Sequence, residues 1–230
     1  MENELGTLYV VATPIGNLED ITLRALRILK EVDIILCEDT RTTHTLLNKY
    51  EIKTKCISYH THSTEGKANA ILELIRDGKN LALVSDAGTP CISDPGVLLI
   101  SQIKSEFGND SKVVPIPGAS ALVTALSACG VSVADFVFLG FLPHKKGRET
   151  LFKEIATSAR PMVFYESSHR ILKALESMIK VCPEKKVTIA RELTKFYEEF
   201  LTGTPEELLK VLEGDTNKQK GEFVVIVAPL

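Results

Sequence analysis

Five short apolar runs, at residues 8–12, 34–37, 56–58, 81–84 and 113–116, recur along the first half of the chain, each giving way to polar and turn-forming residues. Runs of this length without alternation read as strands buried on both faces of a sheet. The stretches between them carry helical periodicity. From about Asp20, the positions Leu18, Ile21, Ala25, Ile28 and Leu29 share one face, and Arg24, Arg27 and Lys30 share the other. That charged face reads as solvated, with an RNA contact as the second reading. Helices are also predicted over 64–77 and 121–128, and after Asp94-Pro95, with Asp94 at the N-cap and Pro95 at the first helical position. Repeated strand–helix alternation predicts an α/β fold with a parallel sheet covered by helices on both faces.

The second half has a different rhythm. Strands are predicted at 136–139, 162–165, 187–190, 199–202 and 223–228, and helices at 146–156, 168–180 and 205–213. The last helix has a clear start, with Thr204 as N-cap, Pro205 in the first position and Glu207 closing a capping box. No helix separates the strands near 187 and 199, so this sheet is expected to be mixed. Pro115 and Pro117 punctuate the chain and place the expected domain boundary between 1–116 and 117–230.

Composition narrows the class. A chain of 230 residues suits one large domain or two small ones. Hydrophobic content of 44% and charged content of 25% belong to an ordinary globular protein. A net charge of −3 provides no global attraction to nucleic acid, so any RNA contact must rest on a local patch. No apolar run nears the roughly 20 residues that cross a bilayer. Met1-Glu2-Asn3-Glu4 lacks the basic and apolar regions of a secretion signal, so a cytoplasmic protein with no membrane partner is expected. Cys37, Cys56, Cys91, Cys129 and Cys182 are widely spaced without a C-x-x-C pair, which suggests neither a disulfide framework nor a zinc site. His60-x-His62 has no nearby cysteine or carboxylate to complete a ligand set, and no metal is expected.

The candidate chemistry lies at strand ends. Thr13-Pro-Ile-Gly-Asn17, Ser85-Asp-Ala-Gly-Thr-Pro90, Pro115-Ile-Pro-Gly-Ala-Ser120 and Tyr165-Glu-Ser-Ser-His-Arg170 share small and turn-forming residues that let a ligand approach the backbone. Open α/β sheets bind ligands at this carboxyl edge. None of these loops matches the G-x-G-x-x-G fingerprint, the Walker A loop or the G-x-S-x-G elbow, which weakens dinucleotide, ATP and serine-hydrolase readings.

Taken in order, Ala12-Thr-Pro-Ile-Gly-Asn-Leu-Glu-Asp-Ile-Thr22, Cys37-Glu-Asp-Thr-Arg41, Leu83-Val-Ser-Asp-Ala-Gly-Thr-Pro90, Ser93-Asp-Pro-Gly96, Pro115-Ile-Pro-Gly-Ala-Ser120 and Phe164-Tyr-Glu-Ser-Ser-His-Arg170 resemble the tetrapyrrole-methylase superfamily of S-adenosylmethionine-dependent methyltransferases. More narrowly, they resemble its bacterial branch that methylates a cytidine 2′-hydroxyl in small-subunit ribosomal RNA. The resemblance implies a two-domain tetrapyrrole-methylase-like fold, with a parallel-sheet N-terminal domain, a mixed-sheet C-terminal domain and S-adenosylmethionine held in the cleft between them. It also implies a homodimer. Carried over by position, the cofactor contacts are Pro14, Asp86, Gly88, Thr89, Ser120, Ala121, Tyr165, Gly221 and Glu222. Some members of the branch carry a C-terminal helical extension, a possible RNA-binding element, beyond the point matched by Ala228-Pro-Leu230.

A ribose hydroxyl is a poor nucleophile at neutral pH, so methyl transfer to it calls for alignment and for a base or a charge-stabilising cation. The candidates are Glu166 with His169 and Arg170, and the Glu38-Asp39-Arg41 cluster, each acid having a second reading as a cap or salt-bridge partner. In Pro143-His-Lys-Lys-Gly-Arg148, the side chains of Lys145, Lys146 and Arg148 are placed to grip phosphates of small-subunit ribosomal RNA, free or in the 30S subunit, with a solvated loop as the alternative. Two other functions fit the same loops: carbon methylation of a small tetrapyrrole, and nucleotide binding without catalysis.

Overall fold

The apolar runs of the first half become the five strands of one sheet in the computed structural model, which describes residues 4–60 and 65–229. The strands are β1 (Thr7–Val11), β2 (Ile34–Cys37), β3 (Lys55–Ser58), β4 (Leu81–Leu83) and β5 (Lys112–Ile116), all parallel in the order β3-β2-β4-β1-β5. Successive side chains of a strand point to opposite faces, and each face has its own cover. Val11, Ile35 and Ala82 pack against Ala25, Ile28 and Leu29 of α1 (Leu23–Glu31) and Leu46 and Leu47 of α2 (Thr40–Lys49). Leu8, Leu36, Leu81 and Leu83 pack against Ile71 and Ile75 of α3 (Glu65–Arg76) and Leu99 and Ile103 of α4 (Val97–Phe107). Each fully buried Val, Leu or Ile among them contributes about 1.5–3 kcal/mol relative to exposure.

Helix ends depart from expectation where the loops are tightest. Thr22 caps α1 by accepting from the Ala25 N–H at 3.1 Å, and residues 18–20 form a separate short turn. The helix α2 is unanticipated. Asp39 caps it by accepting from the Arg41 N–H at 2.8 Å, while its buried stripe is only Thr43, Leu46 and Leu47. The start of α4 is Val97, with Gly96 at the N-cap, so Asp94 and Pro95 do not open it as predicted. The chain instead passes through left-handed conformations at Cys91 (φ 71°), Ser93 (φ 66°) and Gly96 (φ 130°). A β-carbon at Gly96 would lie 2.7 Å from both Cys91 Sγ and Leu83 Cδ2, so only glycine fits. The predicted helix start at 64, like His62, lies outside the described residues.

The chain divides into two units, residues 1–120 and 121–230. Pro115 lies within β5, an edge strand, where a missing N–H is tolerated. Residues 117–120 stay with the first unit: Thr89 Oγ1 donates to the Ala119 carbonyl at 3.1 Å, and a β-carbon at Gly118 would lie 2.9 Å from that of Ala12.

The second unit comprises α5 (Ala121–Ala128), β6 (Val137–Phe141), α6 (Arg148–Thr157), β7 (Met162–Ser167), α7 (Ile171–Val181), β8 (Val187–Arg191), β9 (Glu199–Gly203), α8 (Pro205–Gly214) and β10 (Glu222–Val227). Its sheet runs β6-β7-β10-β8-β9, parallel between β6 and β7 and antiparallel elsewhere. Met162, Phe164, Ile189, Phe223 and Val225 pack against Phe152, Ile155, Leu175, Met178, Leu208 and Leu212 of the helices. The capping box of α8 is present, with the Glu207 N–H donating to Thr204 Oγ1 and the Thr204 N–H donating to Glu207 Oε2 at 2.8 Å. Two elements shift. The strand β7 continues to Ser167, and α7 begins at Ile171 rather than 168, so Glu166 is a strand residue. No helix among the described residues is long and apolar enough to cross a membrane.

Candidate functional site

Because every strand of the first sheet is parallel, the loops after β1, β2, β4 and β5 leave from one edge. They are tied to one another. The Thr13 N–H donates to the Gly88 carbonyl at 2.9 Å and the Gly88 N–H returns to the Thr13 carbonyl at 3.0 Å. Thr13 Oγ1 donates to the Ser85 carbonyl at 3.2 Å, and Ser85 Oγ donates to the Gly88 carbonyl at 3.3 Å. Gly88 takes a φ of 81°, and a β-carbon there would press on Ile15 Cγ2 at 3.3 Å. This lattice buries Thr13, Pro14, Ser85 and Gly88, half-buries Thr89 and Ser120, and leaves Asp86 exposed at the rim.

The same edge gathers acid. The exposed Asp86 accepts from the Asp39 N–H at 3.1 Å, which joins the β4 loop to the start of α2. Burial first, then the charges of Glu38 and Asp86, push the Asp94 carboxyl up to about 6. Burial, followed by Asp86, also raises Glu38, with His60 opposing. Asp39 goes the other way, to about 2, because the Arg41 guanidinium hydrogen-bonds its carboxylate. The Arg41 side chain is 90% exposed and folds onto its own helix cap rather than toward Glu38.

In the second unit, the ring of Tyr165 is met edge-on by Phe138 at 5.0 Å and Phe141 at 5.4 Å. Its hydroxyl accepts from the Leu122 N–H at 3.1 Å, at the start of α5 beside Ala121. Glu166 is its neighbour in β7, but its side chain is fully buried. Arg170 Nε lies 2.8 Å from Glu166 Oε1, and Arg148 Nη2 lies 3.3 Å from Oε2. His169 is exposed on the turn before α7, and Lys145 and Lys146 are exposed in the loop before α6. Arg148 is mostly buried, unlike the two lysines with which the sequence grouped it. At the same end of the sheet, where Glu222 of β10 pairs with Ser167 of β7, Gly221 (φ 103°) gives way to Glu192, whose carboxyl carbon would lie 2.5 Å from a β-carbon there. Glu192 Oε1 accepts from the Glu222 N–H at 3.1 Å, and Lys195 bridges the Glu192 and Glu222 carboxylates at 2.9 Å each.

Residues 7–209 match the family of tetrapyrrole (corrin/porphyrin) methylases. The chain belongs to that family. It is 49% identical over 227 residues to "Ribosomal RNA small subunit methyltransferase I" of Halalkalibacterium halodurans, covering 98% of this chain and 76% of the relative. It is 43% identical over 224 residues to the protein of the same name from Thermotoga maritima, covering 97% and 99% respectively. Among solved structures, uroporphyrin-III C-methyl transferase from Thermus thermophilus, "complexed with S-adenyl homocysteine", superimposes with a TM-score of 0.65 at 16% identity, over 96% of this chain and 97% of that one.

In this tetrapyrrole methylase, Glu192, Lys195 and Asp94 stand beside candidate residues without having been singled out as site residues from the sequence. Only tertiary pairing brings Glu192 to Gly221, 29 positions away in the chain. The Asp94-Pro-Gly96 turn was legible, but its acid read as a helix cap because the left-handed turns at Cys91 and Ser93 have no strong sequence mark.

Proposed function

We propose that this tetrapyrrole methylase uses S-adenosylmethionine to methylate the ribose 2′-hydroxyl of a cytidine in small-subunit ribosomal RNA, acting in the cytoplasm on the RNA or the 30S subunit. The observation that carries this reading is the 49% identity, over 98% of the chain, to a relative named for that RNA. The cofactor is proposed to contact Pro14, Asp86, Gly88, Thr89 and Ser120 in the first unit, and Ala121, Tyr165, Gly221 and Glu222 in the second.

The residues present suit such a cofactor. Asp86 offers an exposed carboxylate for hydroxyl or ammonium donors beside a loop held close by Gly88. Mutual repulsion among Asp86, Glu38 and Asp94 favours a ligand carrying positive charge. Bound S-adenosylmethionine supplies an electrophilic methyl group on a sulfonium centre. The chain's part is to hold the acceptor hydroxyl in line and accept its proton, and alignment alone can contribute several kcal/mol, up to about 7–11. Glu38 is the better placed candidate base, since its carboxyl is raised and only half-buried. Exposed Lys145 and Lys146 are proposed to hold phosphates, which position RNA without reading its sequence.

A homodimer is proposed as the working form. Val97 and Leu98, on the first turn of α4, are 57% and 67% exposed and supply apolar surface for a second copy to cover. The test of activity is incubation of purified protein with methyl-labelled S-adenosylmethionine and unmodified small subunits or a precorrin-type substrate. Label is expected in a ribose of the RNA, and label in the macrocycle alone would overturn the reading.

A further inference from the structure

The loop from Pro143 to Gly147 is pinned at its base by two arginines that share one carboxylate. Arg170 Nη1 donates to the Leu142 carbonyl at 2.9 Å while its Nε contacts Glu166 Oε1 at 2.8 Å. Arg148 Nη1 donates to the Pro143 carbonyl at 3.3 Å, its Nη2 meets Glu166 Oε2 at 3.3 Å, and its guanidinium lies 5.2 Å from the Phe152 ring centre. Glu166 also accepts from the Ser167 N–H at 2.9 Å, so both of its oxygens are committed. The side chains of Arg148 and Arg170 are only 15% and 16% exposed.

We propose that Glu166 is a positioning residue: its buried carboxylate, through Arg148 and Arg170, fixes the basic 143–147 loop in the shape that presents Lys145 and Lys146 to RNA phosphates. The proposal rests on the RNA reading above and deepens it. Three features support it. First, the strand pleat puts Glu166 on the helix-covered face with Met162 and Phe164, and Tyr165 on the opposite face. A base acting beside Tyr165 would have to point the other way. Second, a buried Arg–Glu–Arg cluster is a poor source of net stability compared with apolar packing, so stability alone does not account for it. Third, the lysines cannot order the loop themselves. Their side chains are exposed, and the loop leaves through Gly147 at a φ of 85°. One carboxylate against two guanidiniums also leaves the base of the loop positive, the sign that phosphates require.

The test is Glu166→Gln, which keeps the shape and removes the charge. The KM for small subunits is expected to rise at least tenfold, with kcat within twofold. Amide exchange at 143–148 should quicken while β7 and β10 remain protected. In a Lys145→Ala/Lys146→Ala background, the same substitution should add little further to KM, because the two changes act through one loop. A lost kcat with unchanged KM would overturn the proposal by placing Glu166 in the chemistry, and unchanged kinetics and exchange would overturn it by leaving the cluster no role in the loop. Arg148→Lys, which keeps the charge but loses the fork, carries the same measurements should Glu166→Gln fail to fold. If the unmodified protein methylates no ribosomal RNA, the RNA reading fails, whereas loop exchange still decides whether Glu166 orders 143–147.

Discussion

Tyr165 and Glu166 are consecutive residues of β7 whose side chains serve opposite faces of one sheet: the Tyr165 hydroxyl accepts from the Leu122 N–H at 3.1 Å, and the Glu166 carboxylate is sealed between Arg148 and Arg170. One strand thereby supplies a candidate cofactor contact on one side and an anchor for a basic loop on the other. The alternation follows from strand geometry once β7 is known to reach Ser167.

Asp86 ties the β4 loop to Asp39 and presents an exposed carboxylate at the carboxyl edge of the first sheet. Asp86→Ala is expected to weaken S-adenosylmethionine binding about tenfold, a loss of about 1.4 kcal/mol. Titration calorimetry checks this, and unchanged affinity would remove Asp86 from the proposed site.

Asp94 makes stability depend on pH. Its carboxyl is raised to about 6 in the fold, by burial and then by Glu38 and Asp86, against about 3.9 in an unfolded chain. Between those values the native state holds a proton that the unfolded chain has released, so stability falls as pH rises from about 4 through 6. Asp94→Asn should therefore stabilise the protein at pH 7.5 by on the order of 1 kcal/mol, after allowance for partial solvent screening. Thermal melts of both proteins at pH 4.5 and 7.5 check the sign. The gap should be larger at pH 7.5.

Gly221 combines a φ of 103° with the close approach of Glu192. Gly221→Ala is expected to cost about 1–3 kcal/mol through strain and displacement of that carboxylate. Denaturant unfolding reads the loss, and Glu192→Ala in the same chain should recover the steric part of it but not the backbone part.

Thr204 offers a control remote in chemistry from the candidate residues. Loss of its capping-box hydroxyl in Thr204→Ala should cost about 1 kcal/mol of stability and leave cofactor affinity unchanged. A change in affinity would point to coupling that local capping does not supply.

Much of the fold was legible because apolar runs and caps are local signals. The range of α5 and the capping box of α8 can be read from adjacent residues alone. The helix α2 could not, since its stripe of Thr43, Leu46 and Leu47 is thin and its cap, Asp39, stood among candidate catalytic acids. Loop motifs pointed to the family, but the pairing of charges depends on contacts that sequence does not display. Arg148 read as a companion of Lys145 and Lys146, yet it turns inward to Glu166, 18 residues later. Within the Glu38-Asp39-Arg41 cluster, Arg41 closes on Asp39, the salt-bridge reading that the sequence also offered for that acid.

Mass mapping of small-subunit ribosomal RNA, from cells with and without this protein, tests the central claim most directly. The account predicts one cytidine whose ribose lacks a methyl group when the protein is absent and regains it when the gene is restored. An RNA fully methylated in both strains would contradict it.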